Sequence, residues 1–205
     1  MTGLDDVIGL ILAGGRGRRL GGQDKAFLTL GEETLLVRAI ARAKPQVGEL
    51  LINANGDLSR FAPFGLPVIE DRIGGFLGPL AGIVSGLEWI RENRPHARWL
   101  ASFACDCPFF PLDMVEHLIA KAESESASVA IAASHGRHHP VFAAWSAGLS
   151  VTSENVLCDQ GLRKMDDFVA RFPNTRVQFP ADPADPFFNI NTPDDLARAE
   201  ALLTL

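Results

Sequence analysis

The chain has 205 residues, of which 47% are apolar and 21% charged, with a net charge of −6, the composition of one ordinary globular domain with a sizeable core. The acidic balance argues against a general nucleic-acid binder, no apolar run approaches the roughly 20 residues of a membrane helix, and the start MTGLDDVIGL is acidic where a secretory signal is basic. Cys105, Cys107 and Cys158 are odd in number and lack the spacing of a disulfide framework or a zinc site, so a reducing cytoplasm is the expected setting.

Residues 7–13 (VIGLILA) predict a buried strand that runs into the glycine-rich stretch GGRGRRLGG. Over 32–44, Leu35, Leu36, Ala39, Ile40 and Ala43 recur at helical spacing, with Pro45 just beyond. Strands are expected at 49–54 and 67–70. A helix follows over 77–93, striped by Leu80, Ile83, Val84, Leu87 and Ile90. A central strand over 98–105 ends at Asp106, and a helix follows over 111–122. A strand over 128–133 pairs near 140–145, a helix covers 162–172, and 176–179 and 187–190 are short extended segments. The last helix has a full start signal: Thr192 as cap, Pro193 in the first position, Asp195 three residues after the cap. Alternating strands and helices predict an α/β fold, a mainly parallel sheet covered by helices on both faces. Ligands bind beyond the carboxyl ends of such strands, where Gly14, Gly15, Asn53, Asn55, Asp71 and Asp106 are expected.

One stretch departs from the overall charge. Between Gly14 and Lys25 lie Arg16, Arg18, Arg19 and Lys25 against Asp24 alone, a net +3, so the remainder carries −9. Glycines let a backbone approach an anion, and arginine or lysine adds charge-assisted hydrogen bonds. The Walker string is absent, because Lys25 stands between Asp24 and Ala26. The dinucleotide fingerprint fails too: Leu20 stands where its last glycine belongs, and the second strand ends in asparagines rather than an acid, which disfavours a dehydrogenase. Four cations suit a nucleoside triphosphate better than a dinucleotide's pyrophosphate; the bland alternative is a solvated basic loop.

The string LAGGRGRRLGGQDK resembles the signature of nucleotidyltransferases of the molybdenum cofactor guanylyltransferase type, with Leu20 where methionine is usual and one extra glycine. NAN at 53–55, VIEDRIGGFLGPLAG at 68–82, ACDCP at 104–108 and NINTPDDL at 189–196 continue the likeness in order. The resemblance implies a single Rossmann-like nucleotidyltransferase domain over 1–205, with a GTP-binding half over about 1–110 and a molybdopterin-binding half over about 111–205. It implies transfer of GMP from GTP to the phosphate of Mo-molybdopterin, with release of pyrophosphate. A cytidylyltransferase or other small-molecule nucleotidyltransferase is the alternative within the chemistry, and a non-catalytic GTP-binding module the alternative outside it.

On residues, the likeness assigns Arg19 to the phosphates and Lys25 to the reacting α-phosphate, with Arg16 and Arg18 at variable positions. Asp106 reads from sequence as either a metal ligand or a cap for the helix near 111; the resemblance makes it a Mg²⁺ ligand and a catalytic residue. Leu12, Ala13, Gly14 and Gly15 present backbone to the base, Gly14 favouring GTP. Asn53 and Asp71 contact the nucleotide, although turn chemistry alone also explains them. Gly78, Pro79, Leu80 and Gly82 close over the base. Asn189 and Asn191, alternating along the extended segment, and His139, in a basic His-Pro loop, lie on the acceptor side. His135, His138 and His139 lack an acidic neighbour and make a poor metal cluster. Cys105 and Cys107 read as core, Cys107 close enough to approach the site. The implied partners are GTP, Mo-molybdopterin, and the molybdenum-insertion and apoenzyme-chaperone proteins that would exchange a labile cofactor. Neither nucleic acid nor membrane is expected, and the expected state is a monomer.

Overall fold

The structure is a computed structural model that describes residues 3–14, 24–73, 78–160, 162, 164–182 and 184–203. Its centre is strand β1 (Val7–Leu12), whose continuous apolar run is buried on both faces, as a central parallel strand requires. A small hairpin of β2 (Thr29–Leu30) and β3 (Glu33–Thr34) leads into helix α1 (Leu35–Ala43), capped by the Thr34 hydroxyl. Then follow β4 (Glu49–Asn53), β5 (Val68–Ile69), α2 (Pro79–Asn93), β6 (Trp99–Ala104) and α3 (Met114–Ser124). The C-terminal part comprises β7 (Val129–Ser134), β8 (Arg137–Ser146), α4 (Ser150–Gln160), α5 (Met165–Val169), β9 (Asn174–Gln178) and α6 (Pro193–Leu202).

Seven strands form one sheet in the order β5-β4-β1-β6-β8-β7-β9. The β1, β4, β5 and β6 strands are mutually parallel, β9 is parallel to β7, and β8 alone runs antiparallel to both its neighbours. The helical stripes account for the layers. Leu36, Ala39 and Ala43 of α1 and Val115, Leu118 and Ala122 of α3 cover one face. Ile83, Val84 and Leu87 of α2, with Leu157, Phe168 and Val169 of α4 and α5, cover the other. A satellite core of Leu30, Leu35, Ile190 and Ala199 seats α6 against the hairpin. The fold class is as expected from sequence, and no helix among the described residues is long and apolar enough to cross a membrane.

Four elements differ from the sequence reading. The helix expected over 162–172 is the short α5, and the longer α4 precedes it. The α4 sequence is largely polar and offers no stripe; Ser150, Ser153 and Leu157 are its buried positions among the described side chains. The β8 strand begins at Arg137, so His138 and His139 lie on a strand opposite Ala133 and Ala132 rather than in a loop. The connecting turn is His135-Gly136, both with positive φ (47° and 71°), which matches the twist of a two-residue hairpin. Finally, 187–190 pairs with no strand: the Phe188 N–H closes a turn on the Asp185 carbonyl at 3.1 Å, so Asn189 and Asn191 do not alternate along a ladder.

Strand β8 lies between β6 and β7, and its register with β7 jumps from Ala143 to His139, leaving Pro140, which has no N–H, Val141 and Phe142 outside that pairing. Ser102, fully buried on β6, donates its hydroxyl to the Val141 carbonyl at 2.7 Å and accepts the Trp145 indole N–H at 2.9 Å. Ser102→Ala should therefore strand a buried indole donor and lower the unfolding free energy by about 1–3 kcal/mol, measured by urea denaturation; an unchanged midpoint would show that neither bond contributes.

Candidate active site at the carboxyl ends of the strands

The parallel strands end side by side. Leu12 is in register with Asn53 on β4 and Ala104 on β6, so Asn53 and Asp106, two residues past Ala104, lie on opposite sides of β1. The glycine-rich loop, with Gly15, Arg16, Arg18 and Arg19, lies outside the described residues. Lys25 begins a short 3-10 turn whose cap, Asp24, accepts the Ala26 N–H at 3.2 Å. The Arg60 guanidinium pairs with Asp24 at 3.2 Å and lies 4.2 Å from the centre of the Phe27 ring. This pins the backbone from which Lys25 reaches inward.

The Lys25 ammonium meets Asp106 Oδ2 at 2.9 Å and also donates to Asn191 Oδ1. The two charged side chains are 14% and 17% exposed, open at one side. An ammonium has three donors, and the described residues take two of them. Asp106 is fixed from behind, its carbonyl accepting the Ile190 N–H at 2.9 Å. Among the described residues its other carboxylate oxygen meets only the Cys107 thiol, at 3.8 Å. A hard divalent cation takes one or two carboxylates and completes its shell with phosphate and water, and this half-open carboxylate fits that donor set. Cys107 also donates to the Phe187 carbonyl at 3.6 Å. Burial pushes both the Cys105 and Cys107 thiols well up, and the adjacent Asp106 carboxylate adds to it. They stay protonated and pack; they are not thiolate ligands or nucleophiles.

On the other side of β1, Asn53 donates to Asp71 Oδ1 at 2.9 Å, and Asn55 donates to Asp71 Oδ2 at 2.8 Å while accepting the Asp71 N–H at 3.0 Å. The Asp71 carboxylate is thus oriented by two amides. Turn chemistry alone does not describe this corner: Asn53 is 4% exposed and works between strands. The next residue is held too, the Arg72 N–H donating to Ser85 Oγ at 2.9 Å. Of the backbone at 12–14, the Leu12 carbonyl and Ala13 N–H are spent on Cys105 and Asn53. The Ala13 carbonyl and the Gly14 peptide groups are what the stretch has left for a ligand among the described residues. Gly14 itself lies against the Asn55 amide. Gly78 opens α2 with φ +64°, a conformation that favours glycine, and Pro79 and Leu80 start the helix after it.

The sequence-assigned acceptor residues divide. Asn191 joins Lys25, but Asn189 is exposed and meets no site residue among those described. His139 is half-buried, stacked on Phe187 at 4.7 Å, and hydrogen-bonded to Ser134 at 2.7 Å. Burial holds its ring below the usual histidine range. His135 and His138 are exposed, and the described residues contain no group of three or more potential metal ligands. Arg60, Ser85, Ser134 and Asp185 have no role in the sequence reading, and Asn55 is placed there at a strand end without a partner. Asn55 had a signal, two residues beyond Asn53 and so on the same side; the others act across the fold and had none.

A family model described as the MobA-like NTP transferase domain matches residues 9–172. A molybdenum cofactor guanylyltransferase of Rhodopseudomonas palustris (strain HaA2) is 49% identical over 193 residues, 94% of this chain and 90% of that protein. One of the same name from Bradyrhizobium sp. (strain ORS 278) is 46% identical over 199 residues, covering 97% and 94%. Among solved structures, molybdopterin-guanine dinucleotide biosynthesis protein A of Archaeoglobus fulgidus superposes with a TM-score of 0.74 at 25% identity, covering 96% of this chain and 98% of that one. A 4-diphosphocytidyl-2C-methyl-D-erythritol synthase of Anaerococcus prevotii gives 0.76 at 11% identity, over 98% and 97%, a likeness of fold alone.

The tightest packing in the site is at Gly82, where an added Cβ would overlap the Asn53 amide oxygen and a Leu12 methyl. Gly82→Ala should push Asn53 off Asp71 and destabilise the protein by about 1–3 kcal/mol. Denaturation gives the size, and a nucleotide titration weakened in parallel would show that the Asn53–Asp71 contact moved; unaltered binding and stability would refute the overlap.

Proposed function

The chain belongs to the MobA-like NTP transferase family and is a nucleotidyltransferase of molybdenum cofactor biosynthesis; from that premise we propose that it transfers GMP from GTP to Mo-molybdopterin. The observation that carries the site assignment is the half-buried Lys25 ammonium held between Asp106 and Asn191 at the strand ends. An oxygen of the molybdopterin phosphate attacks the α-phosphorus of GTP. The bond from that phosphorus to the β-phosphate bridging oxygen breaks, and pyrophosphate departs with the electron pair. The attacking oxygen is already ionised at neutral pH, so no general base is needed, and the chain's task is positioning and charge neutralisation.

Lys25 supplies its remaining donor to the α-phosphate, where negative charge accumulates. Arg19, in the basic loop, is assigned to the outgoing phosphates together with the Gly15 backbone. Asp106 is the residue that would hold Mg²⁺, which when bound polarises and screens the phosphate oxygens. Asn53 and Asp71 read the ribose or base, with the Ala13 carbonyl and Gly14 supplying backbone groups and Gly78 the entry to α2. Asn191, Asn189 and His139 stand on the acceptor side, Asn189 through an exposed side chain. The same reading carries a cytoplasmic setting, a monomer, and hand-over partners that insert molybdenum or receive the finished cofactor.

Lys25→Met should cut kcat for pyrophosphate release by about 10²–10³-fold, the scale of losing a charge-stabilising donor, and full turnover would remove Lys25 from the mechanism. Wild-type protein should lose activity in EDTA and regain it with Mg²⁺, whereas Asp106→Asn should show no regain. Comparing GTP with CTP, each with and without molybdopterin, decides the nucleotide: preference for CTP overturns the guanylyl assignment, and metal-free GTP binding without pyrophosphate release would make the protein a binding module.

A further inference from the structure

A hydrogen-bond chain runs from β8 to the segment before α6. Ser134 Oγ lies 2.7 Å from His139 Nε2 and 2.8 Å from Asp185 Oδ1, and that same carboxylate oxygen accepts the Phe187 N–H at 2.9 Å. Ser134 is fully buried, so no solvent intervenes. Proton counting orders the chain. A hydroxyl has one hydrogen, and the Asp185 oxygen, a carboxylate already receiving an amide, can only accept. The Ser134 hydrogen therefore points to Asp185, and its oxygen turns a lone pair toward His139. Nε2 must then carry a hydrogen of its own.

We propose that Ser134 and Asp185 are positioning residues that hold His139 as its Nε2–H tautomer, so that the bare Nδ1 accepts a hydrogen bond from an N–H donor of the acceptor substrate. The inference deepens the function proposed above and rests on it for the identity of that substrate. The surroundings agree. Phe187 stacks on one face of the ring, and no donor among the described residues meets Nδ1. Burial, Arg137 and His138 all disfavour the imidazolium, against which the Asp185 carboxylate acts more weakly than burial. A neutral ring accepting through Nδ1 selects an amino or ring N–H group, such as the edge of a pterin, and gives nothing to a phosphate. That departs from the basic-loop expectation for this stretch.

Long-range ¹H–¹⁵N correlation spectra of histidine-labelled protein read the tautomer directly, with the His139 signal identified by its absence in His139→Gln. Wild type near neutral pH should show the proton on Nε2 and a bare Nδ1. Asp185→Ala frees the Ser134 hydroxyl to donate to the ring and should shift the population toward Nδ1–H. Asp185→Asn keeps an accepting oxygen and should keep the tautomer, so it controls for folding. A wild-type signal of the Nδ1–H form or the imidazolium, or an Asp185→Ala spectrum identical to wild type, would overturn the proposal. Ser134→Ala should raise KM for molybdopterin roughly fivefold, the loss of about one neutral hydrogen bond, with KM for GTP held; an equal rise in both would refute the acceptor-side role. The spectra decide the tautomer even if GMP transfer proves the wrong reaction, so the two failures are separable.

Discussion

An ammonium and a carboxylate drawn partly out of water stabilise a fold only if each finds the other and their remaining bonding sites are filled. Lys25 and Asp106 meet that condition. The pair joins positions 81 residues apart, and the bond from Lys25 to Asn191 joins positions 166 apart. Three separate stretches of chain thus converge on one ammonium group. Removing any one of them leaves a polar group without its partner at the mouth of the sheet, so the geometry at the end of β6 and the seating of the segment before α6 stand or fall together. The backbone bond from Ile190 to Asp106 and the thiol contact from Cys107 to Phe187 reinforce the same junction.

The sheet supplies the rest by topology. Parallel strands β4, β5, β1 and β6 bring their carboxyl ends to one edge, so residues just past the strands become neighbours without further instruction. There Asn53 and Asn55 converge on Asp71, and Asp106 faces Lys25. The reversed strand β8 has a different effect. Because it runs antiparallel, its beginning lies at the edge where the parallel strands end, and His139 is brought beside the segment that carries Asp185, Phe187 and Asn191. The pairing of β8 with β7 shifts register around Pro140, and Ser102 and Trp145 tie that irregular stretch to the sheet's interior.

What the sequence made legible follows from how local each signal is. The apolar runs of β1 and β6 and the stripes of α1 and α2 are periodic within a few residues, and they fold as read. The cap of α6 is read correctly to the residue, with the Thr192 and Asp195 bonds both present, because capping is settled within one turn. The helix α4 carries almost no apolar periodicity, so its sequence gives no helical signal. Residues 187–190 look like a strand in isolation, but their N–H groups find Asp185 and Asp106 instead of a neighbouring strand. In the site, Lys25, Asn53, Asp71 and Asp106 were picked out by motif. Ser134 and Asp185, 51 residues apart, could be joined only by the folded chain.

The local excess of cations in an acidic chain takes on a narrower meaning beside the neutral groups around it. Positive charge is gathered in the basic loop and at Lys25, where phosphates are expected. The corner built from Asn53, Asn55 and Asp71 offers amides and a carboxylate, and the His139 side offers a ring whose burial disfavours the charged form. A substrate that is phosphate at one end and heterocycle at the other can be placed by such a division, because a cation discriminates poorly among hydrogen-bonding edges while a fixed lone pair discriminates well. Two heterocycles then call for two hydrogen-bonding readers beside a single phosphate-binding centre. Under the proposed transfer, Asp71 with its two amides and His139 with its lone pair would be those readers, and charge neutralisation would fall to Lys25 and the basic loop.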